Sequence, residues 1–129
     1  MSSRQRAMDF PKIPVQCAAE LRAGADPHRI FIEGISPAGI DARCDAPTLR
    51  SLAATMAASL AEDGGHAEVF ARLELPTRGG RSEVLSRCRV ERLSREAEGG
   101  QVRLRFVSLV GAASRRGFND FLSASLEPI

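Results

Sequence analysis

Apolar and polar residues alternate along most of this chain, and in two stretches the period changes from two to about three and a half. Ile13 to Arg22 is an apolar, short-chained run that ends in the turn-forming residues Ala23-Gly24-Ala25-Asp26-Pro27. Arg29 to Ile35 and Ile40 to Cys44 alternate around Ser36-Pro37-Ala38-Gly39, which predicts a β-hairpin. Further strands are predicted over Ala67–Leu75, Ser82–Leu93 and Gln101–Val107. They send Val69, Ala71, Leu73 and Leu75, then Val84, Ser86, Cys88 and Val90, then Val102, Leu104 and Phe106 to one face. Between the third and fourth strands, Leu49, Leu52, Met56 and Leu60 fall on one side of a helix over 48–63. Thr48 is the expected cap and Gly64-Gly65 the stop. Phe118, Phe121, Leu122 and Leu126 mark a second helix over 112–126. Six short strands between turn signals indicate a small barrel or sandwich.

At 129 residues the chain is expected to form one domain, 13–126, preceded by an exposed arm, 1–12. Hydrophobic residues make up 43% and charged residues 26%, an ordinary globular mixture. No apolar run is long enough to span a bilayer, so membrane insertion is not expected. Met1 to Asp9 is polar and has no apolar secretory core, which makes the cytoplasm the expected location.

A net charge of +2 is too small to imply nucleic acid. Seventeen arginines stand against a single lysine, Lys12, a skew that a genome rich in G and C produces. Arg87, Arg89, Arg103 and Arg105 face outward and would form a basic stripe if their strands pair. Glu68, Glu74, Glu83 and Glu91 lie near enough to neutralise it, and the chain has neither Trp nor Tyr to stack on bases. No nucleic-acid partner is expected.

Cys17, Cys44 and Cys88 are widely spaced and read as buried thiols, and His28 and His66 are isolated beside turn signals. No metal site or cofactor is expected. Ser36 has no neighbouring base, and no Gly-Gly pair is followed by Lys-Ser or Lys-Thr, so no catalytic residues are assigned.

The hairpin corner carries the most specific signal. Pro37 fixes one φ, Gly39 is able to take a positive one, and the Ser36 hydroxyl is placed to close the turn. Gly34 interrupts its strand, which suggests a bulge or a close backbone approach. In this setting Gly34-x-Ser36-x-x-Gly39 resembles the [DN]xSxxG motif of the PilZ domain family, with glycine at the acidic or amide position. The family's RxxxR motif precedes Ile/Val-Pro-Val; here Met8 and Lys12 stand in the arginine positions ahead of Ile13-Pro14-Val15.

The resemblance implies a mainly β fold: a six-stranded antiparallel PilZ-like barrel, with the 48–63 helix as an insertion and the 112–126 helix at the C-terminus. Typical PilZ domains are bacterial, non-enzymatic receptors for cyclic di-GMP that act by changing their contacts with partners. Met8 has no charge, Lys12 offers a point charge instead of a planar fork, and Gly34 lacks a side-chain acceptor. Each lost charge-assisted hydrogen bond is worth about 1.5–3 kcal/mol, so cyclic di-GMP binding is expected to be weak or absent. The chain then reads as an adaptor of the cyclic di-GMP network, working through a protein partner or self-association. The alternative is a true receptor with a modified ligand site drawn from Arg4, Arg6, Lys12, Gly34, Ser36 and Gly39. Leu49, Leu52, Met56 and Leu60 have two expected roles: packing on their own barrel, or contacting a partner or second copy.

Overall fold

The computed structural model describes residues 12–23, 26–63 and 67–126. Its strands are β1 (Ile13–Ala23), β2 (Asp26–Ser36), β3 (Gly39–Cys44), β4 (Glu68–Thr77), β5 (Gly80–Glu96) and β6 (Gly99–Leu109). All pair antiparallel and close into a barrel in the order β1-β2-β3-β6-β5-β4. Helix α1 (Ala46–Asp63) connects β3 to β4, and helix α2 (Ala112–Leu126) follows β6. This is the expected six-stranded barrel with two helices.

Several strands run further than their alternation indicates. The pairs Thr77↔Gly80 and Glu96↔Gly99 show why: these connections are two-residue turns, and flanking residues join the ladders, as Ala23 and Asp26 do between β1 and β2. Pro27 therefore lies inside β2, opposite Arg22. Pro76 lies beyond the last β1–β4 pair, where a missing N–H removes no bond between those strands.

The alternating positions fill the barrel. Val69, Ala71, Leu73, Leu75, Val84, Val90, Val102 and Leu104 are all buried. Ser86 joins them by donating its hydroxyl to the Ala71 carbonyl at 3.1 Å. Burial pushes the Cys88 thiol up to about 11. Phe106 is only partly buried; its ring meets Phe118 of α2 edge-on, with centroids 5.3 Å apart. Phe118 and Phe121 are buried, as their helical spacing requires.

Helix α1 starts two residues before the predicted start and is capped by a different side chain. Asp45 accepts the Thr48 backbone N–H through Oδ1 at 2.9 Å, so Asp45 is the cap and Thr48 the third residue of the first turn. Thr48 itself is buried, with Oγ1 3.5 Å from His28 Nδ1. The apolar stripe of α1 lies on its own barrel, against β6, β5 and β1. Leu52 is fully buried there, and Leu49 and Met56 are partly buried against the same core. Leu52 is therefore not available to a partner, because intramolecular packing already covers it. The side chain of Leu60 lies outside the described residues, as does that of Leu126.

Candidate functional site

The hairpin between β2 and β3 is built as a tight corner. Ser36 pairs with Gly39, leaving Pro37-Ala38 as the turn, and Ala38 donates its N–H to Ser36 Oγ at 3.1 Å. Ser36 is only 3% exposed, so its hydroxyl serves the turn and not the solvent. The residue order, with Ser first, Pro second and Gly fourth, is that of a type I turn. Among the described residues the positive φ angles fall on Gly80, Gly99 and Gly111, so Gly39 does not use the positive φ expected of it. Gly39 is required for space: a Cβ there would lie 2.0 Å from the Leu104 carbonyl oxygen of β6. The turn is also tied to β6 through the Phe106 N–H, which donates to the Ala38 carbonyl at 2.9 Å.

Gly34 marks the predicted bulge: the β2–β3 register shifts between Ile32 and Gly34 and leaves Glu33 as the extra residue. A Cβ on Gly34 would meet Lys12 Cβ at 3.5 Å, an ordinary contact. The bulge sets Gly34 opposite Asp41, and Asp41 opposite Arg103 of β6. Three charged side chains converge there. Lys12 Nζ lies 2.5 Å from Asp41 Oδ2, and Arg103 Nε donates to Asp41 Oδ1 at 3.1 Å. Burial alone would raise the Asp41 carboxyl, but the bonds and charges of Lys12 and Arg103 outweigh it and hold the group below the ordinary aspartate value.

Outward from this cluster, the β3–β6–β5 face is rich in arginine. Arg105 lies directly opposite Arg89, and Arg103 directly opposite Arg92. The expected lacing by acids is present: Arg87 pairs with Glu68, Arg105 with Glu91, Arg72 with Glu83 and Arg81 with Glu74. On the neighbouring strands, Phe31 of β2, opposite Arg43, and Phe70 of β4, opposite Arg87, are exposed at 43% and 45%.

Of the ligand residues read from the sequence, Lys12 and Gly34 are neighbours, while Ser36 and Gly39 are buried in the turn. Arg4 and Arg6 lie outside the described residues. Asp41 was missed by sequence reasoning, although a signal existed: a two-residue turn at Pro37-Ala38 and a bulge beside Gly34 together set the Gly34↔Asp41 pair. Among the described residues no group of three or more His, Cys, Asp or Glu could hold a metal ion. Nor is any described helix long and apolar enough to cross a membrane.

No family model and no curated protein matches this chain. Among solved structures, that of the Bacillus subtilis inhibitor of motility (MotI/DgrA) is similar, with a TM-score of 0.61 at 11% identity. The match covers 88% of this chain and 49% of that one, so the present chain spans about half the length of its structural neighbour. At this identity the likeness is one of fold, and the fold it supports is the PilZ-like barrel.

Proposed function

We propose that this chain is a non-enzymatic, PilZ-like regulatory domain of the bacterial cyclic di-GMP network. It acts as an adaptor through protein contacts and has weak or no affinity for the dinucleotide. The observation that carries this reading is the pairing of Lys12 with Asp41 beside Gly34. The one cation at an arginine position of the motif is neutralised within the chain, and the position that would offer an acceptor to a guanine is bare. The motif residues that do match, Ser36 and Gly39, have structural work in the turn, so their presence is no argument for a ligand. The neighbouring fold belongs to an inhibitor of motility, which puts motility among the processes to test first.

Calorimetric titration of cyclic di-GMP into the full chain tests the reading. No saturable heat up to high ligand concentration is the expected result. A micromolar signal that Arg4→Ala or Arg6→Ala abolishes would replace the adaptor with the receptor. Light scattering that gives a strict monomer, together with affinity capture that recovers no partner, would count against the adaptor role itself.

A further inference from the structure

The arginine ladder contains an arrangement that the fold does not need. In an antiparallel pair, directly opposite side chains start about 4.5–5.5 Å apart at Cβ, and like charges there are destabilising. Arg92 and Arg103 occupy such a pair, and two residues further along Ser94↔Gln101 lies on the same face. The four side chains line one polar cleft of about 230 Å³, with Asp41 at its edge. A β-bulge between Val90 and Arg92 sets this register, with Glu91 as the extra residue on β5. The acid thereby displaced, Glu91, pairs with Arg105 and not with Arg92. Among the described residues no acid pairs with Arg92, and the one carboxylate within reach of Arg103 is shared with Lys12. Arg92 and Arg103 against Asp41 leave the cleft lining with a net charge of +1, and Lys12, paired to Asp41 just outside it, offsets that carboxylate.

We infer that the Arg92–Arg103 pair is a binding site for a phosphate group. Two guanidinium forks, the Ser94 hydroxyl and the Gln101 amide offer more donors than the two oxygens of a carboxylate accept. A tetrahedral phosphate supplies enough acceptor oxygens for them and carries the opposite charge to the paired forks. The bound group is a terminal phosphate or pyrophosphate, lying across β5 and β6 with its oxygens between the two forks. The site shares the outer face with Lys12 but uses neither Ser36 nor Gly39, and the inference stands apart from the adaptor reading.

The test is a titration of inorganic pyrophosphate into the full chain, at ionic strength held constant with chloride, followed by NMR of the arginine Nε–Hε groups. Saturable shifts confined to Arg92, Arg103 and their neighbours are expected. Arg92→Gln is expected to weaken binding at least tenfold, and Arg29→Gln, on the outer face of β2, to leave it unchanged. Asp41→Asn is expected to tighten it, because it removes the opposing charge. Arg92→Gln is also expected to keep or raise the melting temperature, since it relieves the like-charge pair; this separates loss of a site from loss of fold. Shifts that never saturate, that spread over all arginines, or that survive in Arg92→Gln overturn the inference. A parallel titration with cyclic di-GMP separates the two proposals. Competition with pyrophosphate supports the site while overturning weak dinucleotide binding; pyrophosphate shifts alone support the site and leave the adaptor reading intact.

Discussion

Two glycines five residues apart, Gly34 and Gly39, stand at the first and last positions of one sequence motif and are held by different demands. At Gly39 a methyl group would penetrate the Leu104 carbonyl, so the barrel itself excludes every other residue. At Gly34 a methyl group would rest against Lys12 at an ordinary distance, and nothing in the packing asks for glycine. Ser36, between them, belongs with Gly39, because its hydroxyl is bonded inside the turn. The motif therefore has a half that closes the barrel and a half that faces outward, and this chain matches only the first. A partial motif match is weak evidence for a ligand when the matched residues are the ones the fold requires.

Substitutions that trade these demands should separate the two halves. The largest effect is expected for Gly39→Ala, which forces β3 and β6 apart and should cost about 3 kcal/mol or more in urea unfolding. Ser36→Ala leaves the Ala38 N–H without its partner and should cost about 1 kcal/mol in the same measurement. Asp41→Asn acts on the outward half and should cost less than about 1 kcal/mol at neutral pH, since its partners are solvent-exposed. Its clearer signature is in acid. The Asp41 carboxyl titrates below its ordinary 3.8 in the folded chain, so its contribution is present above that pH and lost as pH falls through the folded value. An acid unfolding series should therefore be flatter for Asp41→Asn than for the parent. Gly34→Asp sets a second carboxylate directly opposite Asp41 and beside Lys12, and should cost up to about 1 kcal/mol. If the chain is a receptor with a modified site, that variant should raise cyclic di-GMP affinity about tenfold by calorimetry, the worth of one charge-assisted hydrogen bond; for the adaptor the titration should stay silent. A Gly34→Asp variant that unfolds like Gly39→Ala would erase the distinction between the two positions.

Much of the barrel was legible because a half-buried strand carries its own inside and outside. Every inward position read from β4 and β5 is buried, and Glu68, Glu74, Glu83 and Glu91 all pair with arginines on the opposite face. The helix cap was misplaced because Asp45 and Thr48 are both good cap residues, and Pro47 between them is compatible with either start. Contacts set by register were the hardest to read. Asp41 reaches Lys12 and Arg103 only after one turn length and one bulge are fixed, and a one-residue error in either moves its carboxylate to the other face. The α1 stripe has a similar lesson, since periodicity shows that Leu49, Leu52 and Met56 share a side but not which surface covers it.

The β1–β4 ladder, which among the described residues pairs Ala19–Arg22 with Phe70–Leu73, also has a consequence for how the molecule assembles and breathes. Leu21 meets Ala71 fifty residues along the chain, whereas the hairpins β1–β2, β2–β3, β4–β5 and β5–β6 form between neighbours in sequence. Joining such distant segments carries the larger loop-closure entropy, and so few bonds return little for it. The barrel joins distant segments at two places, here and at the longer β3–β6 ladder, and this shorter seam is expected to close late in folding and to open early. Its amides should exchange with solvent deuterium ahead of those in the β4–β5 and β5–β6 hairpins.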